Sequence, residues 1–565
     1  MPSDLTLGAE PVAGCDVVNS FAKHFSDKIK LNISKTNVNL NAVYNGKCKL
    51  IVQNRNFMLE SDVKECMLDL PNKKCEGFDR LPVCMLRDSC DTLLKPISSL
   101  FSKIYATGQI PEQWKVSKII PTFKKGSKNQ IENYRPIANL CAASKIFEKL
   151  ILKQIHYLEK TNKLDLTGKQ QHGFKKNKST ATVGTLLQSM IARAADTNCF
   201  VVMASLDLSM AFDMVNIELL VKRLRIMGMP RDLIKLIREW LVGRSFYVQV
   251  GEDSSALFGS DVGTIQGSVL GPILYALFVS PLFDIANITN FADDNFCLVW
   301  NKEIGALKVD LERKLEMITK WLRDSGLVVN QSKTEICLFH KQDQLPIQIM
   351  VENVIVTSKK SMNVLGVIFD SKLDWSIQIA SCINKAKKKL FALKLLKNYF
   401  TPQQMRILLD SQFYSVLYYN SVIWLTSEIR ASLKHDLMSI SANALRSCIM
   451  KDNYDVSFEN IHLKCKKCTP YQISLYQSAL KLHKTVNENL DNLSFEQITV
   501  FDQIICTSRQ TNFQISRRNN FKVGMNTTAN KFYALSNKIG LGMLNLTFVH
   551  FKKLAKIQFL KYGKT

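Results

Sequence analysis

The sequence lacks any apolar run long enough to cross a membrane, and its first residues lack the charged start and apolar core of a secretion signal. We therefore expect a protein with no membrane association that is not secreted and is cytoplasmic, nuclear or both. Its 15 Cys residues are scattered through apolar segments. In a chain of 565 residues this distribution is typical of reduced, buried thiols and not of a disulfide framework.

Acidic residues are scarce relative to basic ones. The chain has 49 Asp and Glu against 75 Lys and Arg, which gives a formal net charge of +26. Such an excess indicates a polyanionic partner, usually nucleic acid. A generally basic surface is the alternative, but lysines concentrate within residues 385–397, between apolar residues at helical spacing. This pattern favours a helix that lies along a phosphate backbone.

Two adjacent carboxylates, Asp293 and Asp294, stand between two short β-prone runs. The pattern predicts a strand, a tight turn and a second strand, with both carboxylates at the hairpin tip. A divalent metal would neutralise this pair, and Mg²⁺ prefers such oxygen ligands. An Asp-Asp pair in a turn is more often simply solvated, so the pair alone does not establish a metal site.

A third carboxylate changes that interpretation. Asp207 follows the apolar, β-prone run 201–206, and an Asp at the end of a core strand can point into the same cleft as a hairpin tip. Three carboxylates from two elements are what two-metal phosphoryl transfer requires.

Several segments resemble the sequence boxes of reverse transcriptases. Phe291-Ala-Asp-Asp294 resembles their (Tyr/Phe)-Ala-Asp-Asp box, and Asp207-Leu-Ser-Met-Ala-Phe-Asp213 resembles their first catalytic box. Between them, residues 263–278 are similar to the Gln-Gly-Ser box. Their order and spacing match the enzymes of non-LTR, LINE-type (jockey-like) retrotransposons, over residues 60–375.

This resemblance implies a catalytic centre. Asp207, Asp293 and Asp294 would hold two Mg²⁺ ions, for which Mn²⁺ could substitute. Lys333, in a segment similar to the family's fourth box, matches a lysine that protonates the leaving pyrophosphate; an ordinary surface lysine is the alternative.

The resemblance also implies a nucleotide site. Lys124 and Arg135, on a predicted basic hairpin, would contact the triphosphate, although Lys125 could take the place of Lys124. Phe212 would lie beneath the sugar and exclude a 2′-hydroxyl, unless it is a core residue. Gln266 and Gly267 would position the template and the nucleotide.

Two neighbouring features receive their own interpretations. The basic loop 175–178, before a predicted helix start, is a candidate for template-phosphate contact. Asp213 is interpreted as a helix-start residue without a metal role.

The implied fold is α+β, a right-hand polymerase with fingers, a palm whose antiparallel sheet packs on helices, and a helical thumb. The predicted divisions are a weakly structured N-terminal linker (1–60), fingers and the first part of the reverse transcriptase domain (61–200), palm (201–371, the whole domain covering about 105–371), helical thumb and connection (372–495), and a basic C-terminal segment (496–565).

The function implied is RNA-directed DNA synthesis, with an RNA template, a DNA primer or target DNA, and dNTPs as partners. An RNA-dependent RNA polymerase is one alternative, but such enzymes usually carry Gly-Asp-Asp and lack a bulky residue like Phe212. A decayed or co-opted relic that binds nucleic acid without catalysis is the other. Met210, Thr264 and Ile265 depart from the family pattern, but none of these changes removes a catalytic oxygen. The sequence does not predict the oligomeric state.

Two absences are also expected. Cys465-Lys-Lys-Cys468 has no second ligand pair at matched spacing, so structural thiols are expected and not a zinc site. Neither end of the chain shows an ordered cluster of acidic residues and His. We therefore expect a polymerase without a nuclease of its own.

Overall fold

The computed structural model describes residues 5–7, 10–12, 16–40, 58–162, 164–425, 429–450, 457–465, 467–470 and 472–473. The predicted C-terminal segment 496–565 lies outside the described residues, as does the end of the predicted thumb segment.

The described part of the chain contains both helices and strands, and its last elements are all helical. The helices are α1 (Asp16–Ser34), α2 (Glu60–Leu68), α3 (Val83–Asp88), α4 (Cys90–Thr107), α5 (Glu112–Lys115), α6 (Ala142–Asn162), α7 (Thr180–Asp196), α8 (Ile217–Ile226), α9 (Arg231–Leu241), α10 (Gly271–Val279), α11 (Leu282–Ile285), α12 (Ile304–Asp324), α13 (Ser376–Leu396), α14 (Pro402–Leu408), α15 (Ser415–Leu417), α16 (Ser421–Trp424), α17 (Ala431–Cys448) and α18 (Phe458–Lys464). The strands are β1 (Leu5–Leu7), β2 (Glu10–Val12), β3 (Val116–Phe123), β4 (Tyr134–Asn139), β5 (Phe200–Leu206), β6 (Leu208–Ser209), β7 (Arg244–Val250), β8 (Asp253–Ser254), β9 (Phe258–Ser260), β10 (Ile288–Phe291), β11 (Asp294–Asn301), β12 (Val328–Val329), β13 (Glu335–Phe339), β14 (Gln348–Val351), β15 (Val354–Thr357), β16 (Ser361–Val364) and β17 (Val367–Asp370).

An antiparallel sheet with the strand order β10-β11-β5-β13 lies at the centre of the fold. β5 is mostly apolar, with Ser205 as its one polar residue, and side chains on both of its faces are buried. Val201 and Met203 contribute to the core that also contains α7, and Val202, Ala204 and Leu206 contribute to the core that contains α12. The sheet is thus covered by helices on both sides, and the predicted α+β class is confirmed.

A second sheet has the order β4-β3-β7-β8, with β9 also paired to β7. β3 pairs with β4 as an antiparallel hairpin and with β7 in parallel. Phe21, Ala22 and Phe25 of α1 are buried against this sheet. Residues 16–34, within the segment expected to be a weakly structured linker, therefore form a helix that belongs to the folded body.

The C-terminal described region is helical. In α13, Ile379, Ala386, Leu390 and Leu393 are buried as the predicted apolar stripe, while Ile383 is only partly buried. This stripe packs on α17 and on β17. Among the described residues no helix is long and apolar enough to cross a membrane.

Candidate active site

The predicted strand–turn–strand around Asp293 forms the β10–β11 hairpin. Phe291 pairs with Asp294, so Ala292 and Asp293 make a two-residue loop. Ala292 adopts φ +57°, a left-handed conformation that favours glycine. Positive φ at the first loop position suits the twist of a tight hairpin. A residue with a Cβ keeps such a conformation only where its surroundings impose it.

Buried amides impose this conformation. The Gln171 side-chain oxygen accepts hydrogen bonds from the backbone N–H groups of Gly173 (2.7 Å) and Ala292 (3.0 Å). Gln171 also donates to Asn290, whose own amide donates to the Asp294 carbonyl (3.0 Å). A Cβ on Gly173 would lie 2.4 Å from the Ala292 nitrogen, so only glycine allows this approach. Neither Gln171 nor Asn290 was predicted to have a role. A polar amide inside the β-prone run 288–291 is a signal that could have identified Asn290, whereas Gln171 stands in a polar segment without such a signal.

Asp207 lies beside this hairpin. The register pairs Leu206 with Asn295, which brings the residue after β5 next to Asp294. Burial raises the pKa of Asp294 to about 6, with contributions from the neighbouring carboxylates of Asp293 and Asp207. Burial also raises the pKa of Asp293, and Asp207 adds to this effect. The sheet therefore brings the three predicted carboxylates together.

The donor set fits a divalent cation, because mutual repulsion among carboxylates is what such an ion relieves. Within the part of the chain that the structure describes, however, no group of three or more His, Cys, Asp or Glu side chains is arranged to hold a metal ion by itself.

Three cations face the carboxylates. Lys333 Nζ donates to Asp207 Oδ2 over 2.8 Å. Desolvation lowers the pKa of Lys124, and the charges of Arg135 and Lys333 lower it further, while Asp207 raises it. Burial raises the pKa of Asp293, and the charges of Arg135 and Lys124 offset part of that rise. The cations of the β3–β4 hairpin therefore lie near enough to the carboxylates for their charges to interact.

The Gln-Gly-Ser segment packs against the same hairpin. The Ala138 N–H of β4 donates to the Gln266 carbonyl over 2.8 Å. Gly267 has φ +111°, and a Cβ there would lie 2.4 Å from the Ala138 carbonyl oxygen. The Gln266 side chain donates to Asp213 Oδ2 over 2.6 Å. Asp213 therefore does not serve the helix-start role expected of it; the N-cap side chain of α8 is Asn216.

Phe212 lies in an aromatic cluster. Its ring centroid is 4.6 Å from that of Tyr275 and 5.9 Å from that of Phe174. Phe212 is only partly buried at the edge of the core. Burial raises the pKa of Tyr275, and the charges of Asp293 and Asp294 raise it further, so the cluster lies near the carboxylates.

Two lysines of the basic loop 175–178, interpreted from the sequence as a template contact, have partners within the protein. Lys175 Nζ is bound to both oxygens of Asp165, at 2.5 and 2.6 Å. Lys178 Nζ donates to backbone carbonyls, including that of Gln171 at 3.3 Å. Two of the three lysines thus point into the protein and hold the Gln171 loop, while Lys176 is exposed.

Glu148 is a second residue that the sequence analysis missed. It lies on α6, is fully buried, and its Oε2 accepts from the backbone N–H groups of Val269 (2.6 Å) and Leu270 (3.0 Å). These groups precede α10, directly after the Gln-Gly-Ser segment. A lone Glu in an amphipathic helix gives no sequence signal of such a contact.

Side chains around Cys465 are buried or hydrogen-bonded within the protein. His462, the nearest candidate metal ligand, has one ring nitrogen 2.8 Å from Ser441 Oγ and the other 2.6 Å from the Phe458 carbonyl oxygen. Cys465 itself is buried. These contacts agree with a structural role, and the absence of zinc stays a prediction.

Comparison with known proteins defines the class of this region. Residues 123–369 match the family model described as reverse transcriptase (RNA-dependent DNA polymerase), so this part of the chain is a reverse transcriptase domain.

Relatives of this domain come from mobile elements of Drosophila melanogaster. The chain is 27% identical over 347 residues to the RNA-directed DNA polymerase from mobile element jockey, covering 59% of this chain and 37% of the relative. It is 25% identical over 350 residues to the probable RNA-directed DNA polymerase from transposon BS, covering 60% and 38%. The similarity to enzymes of non-LTR retrotransposons is thus confirmed. The chain spans little more than a third of the length of these relatives.

Proposed function

We propose that this chain is an RNA-directed DNA polymerase that adds deoxynucleotides to a primer 3′ end. The observation that carries the proposal is that the sheet register brings Asp207 beside the Asp293–Asp294 turn, with Lys333 Nζ 2.8 Å from Asp207 Oδ2. The charges of Lys124 and Arg135 also act on Asp293. Carboxylates suit metal ions and the cations suit a triphosphate. An RNA template, a DNA primer or target DNA, and dNTPs are the proposed partners.

In this mechanism Asp207, Asp293 and Asp294 would hold two Mg²⁺ ions. When bound, such ions activate the primer 3′-oxygen and neutralise the charge that develops on the leaving phosphate. Lys124 and Arg135 bind and orient the triphosphate. Much of the rate enhancement then comes from positioning and charge neutralisation.

Lys333 has a proposed role in the same step. Its ammonium group would give a proton to the departing pyrophosphate, as a general acid. The Nζ contact with Asp207 Oδ2 places this cation at the carboxylates, and the substrate's phosphates would compete for it.

The proposed subdomains are those of a right-hand polymerase. Residues 61–200, with the β3–β4 hairpin, would be the fingers and residues 201–371 the palm, while α13 would begin the thumb. The exposed Lys385, Lys387, Lys388 and Lys389 of α13 support contact with a phosphate backbone.

Gln266, Gly267 and Phe212 would complete the nucleotide site. Gly267 allows the backbone segment to pack closely on β4, and Gln266 would position template and nucleotide. Phe212 would exclude the ribose 2′-hydroxyl, which favours DNA synthesis over synthesis of RNA. A cytoplasmic or nuclear location suits such an enzyme.

Primer extension tests the proposal. Purified protein, an RNA template with an annealed DNA primer, Mg²⁺ and either dNTPs or rNTPs should give extension with dNTPs. Asp293→Ala should abolish extension yet leave RNA binding nearly intact, because metal ligation is lost while the basic cleft remains. Asp343→Ala is the matched control: Asp343 is exposed and follows β13, whose far end pairs with Val201 and not with the residues next to Asp207.

The outcomes separate the candidates. Extension with rNTPs alone would indicate an RNA polymerase. RNA binding without extension in the wild-type protein would indicate a relic. Extension by Asp293→Ala at the wild-type rate would refute the metal assignment.

A further inference from the structure

Phe174 has an unusual backbone conformation next to the carboxylate hairpin. Its φ is +60°, in the left-handed region that bulky residues rarely adopt, and 49% of its surface is exposed. Gln171 holds the residue before Phe174, since its side-chain oxygen accepts hydrogen bonds from the N–H groups of both Gly173 and Ala292. The segment that carries Phe174 is therefore tied to the turn that carries Asp293.

The Phe174 ring is in contact with Phe212. The two centroids are 5.9 Å apart and the ring planes meet at 82°, an edge-to-face contact. Phe212 also packs on Tyr275, at 4.6 Å and 31°. Tyr275 is fully buried and cannot move aside without disturbing the core. Of the two rings that hold Phe212, only Phe174 reaches the surface.

We propose that Phe174 determines sugar specificity by holding the Phe212 ring against the incoming nucleotide. The inference rests on the proposed function, in which Phe212 excludes a 2′-hydroxyl. The Phe212 ring can exclude a 2′-hydroxyl only if it cannot rotate away from the sugar. Deletion of the Phe174 ring would open space beside Phe212 and allow that rotation. The strained backbone of Phe174 is consistent with such a role, because strain of this kind persists at functional sites.

Single-nucleotide incorporation tests this proposal. The ratio of kcat/KM for a dNTP to that for the matching rNTP is measured for the wild type, Phe174→Gly and Phe174→Tyr. We expect Phe174→Gly to lower the ratio about tenfold or more, since small steric differences in a pocket are worth ~10- to 200-fold. Phe174→Tyr keeps the ring and should keep the ratio.

Glycine separates this effect from misfolding. It adopts positive φ without strain, so the melting temperature of Phe174→Gly should be unchanged or raised. Asn198→Gly is the matched control, because Asn198 also has positive φ (+58°) but precedes β5, at the end of the sheet opposite Asp207. It should leave the ratio unchanged.

A double variant tests the route through Phe212. In a Phe212→Val background the Phe212 ring is already absent, so Phe174→Gly should cause little further change in the ratio. Full additivity of the two changes would contradict the proposal. A Phe174→Gly protein with the wild-type ratio would also contradict it, whether or not its activity with both nucleotides falls. If the wild-type protein extends no primer at all, the proposed function fails as well.

Discussion

Replacement of Glu148 by Gln should remove a large pH dependence of folding stability. The carboxyl group is fully buried, and one of its oxygens accepts hydrogen bonds from the backbone N–H groups of Val269 and Leu270. The other oxygen, Oε1, has no hydrogen-bond partner. Burial raises the pKa of Glu148 from 4.5 to about 7, although the two backbone hydrogen bonds lower it.

The magnitude follows from the two pKa values. The folded protein keeps this proton up to about pH 7, whereas the unfolded chain loses it near pH 4.5. Between these values the folded state binds more protons, so stability falls as the pH rises. Over this interval of about 2.5 pH units, at ~1.4 kcal/mol per unit, the group costs about 3 kcal/mol.

Denaturant unfolding of the wild type and of Glu148→Gln across this pH range measures the effect. Gln keeps an acceptor for the two N–H groups and carries no charge. The free energy of unfolding of the variant, relative to the wild type, should therefore rise by about 3 kcal/mol from below pH 4.5 to above pH 7. Asp213 and Asp294, whose pKa values are also raised, titrate in both proteins and cancel in the difference.

Glu148→Leu provides the contrast. It leaves the Val269 and Leu270 N–H groups unpaired, at about 1–3 kcal/mol each. It should be less stable than Glu148→Gln at every pH. A stability difference between wild type and Glu148→Gln that does not vary with pH would refute the reasoning, because the carboxyl would then titrate alike in the folded and unfolded states.

Other changes test other parts of the site. Gly267→Ala should destabilise the fold by about 2–4 kcal/mol, because its Cβ would meet the Ala138 carbonyl and its φ is +111°; an unchanged melting temperature would contradict this. Phe212→Val should raise ribonucleotide incorporation, measured by primer extension with mixed nucleotides, and an unchanged preference would make Phe212 simply a packing residue. Elemental analysis should find no stoichiometric zinc. One zinc per chain, lost in Cys465→Ser, would show that the thiol interpretation is mistaken.

The local elements of the site could be predicted from the sequence. The β10–β11 hairpin and the strand before Asp207 follow from apolar, β-prone runs interrupted by polar residues, which is a local signal. The α13 stripe follows in the same way from helical periodicity. The boxes that contain Asp207, Gln266 and Asp293 are recognisable because each is a short, contiguous segment.

Contacts between segments distant in the chain could not be predicted in this way. Lys124 and Lys125 are equivalent in sequence, and only the tertiary fold brings Lys124 near enough to Asp207 for the Asp207 charge to act on its pKa. Lys175 and Lys178 stand in a loop whose composition suits phosphate binding. In the fold, however, Lys175 binds Asp165 and Lys178 binds the Gln171 carbonyl. Charge alone does not tell whether a lysine faces solvent or a buried acceptor.

The sequence by itself determined the order of the boxes, the strand before Asp207 and the β10–β11 hairpin, since each depends on residues that are neighbours in the chain. Tertiary structure alone decided what holds them. Gln171 supports the Ala292 turn from 121 residues away, and Glu148 binds Val269 at the same separation of 121. A buried polar group forms its hydrogen bonds with whichever groups the fold brings near it, and these can be remote in the sequence. Local periodicity does not indicate which remote residues they are.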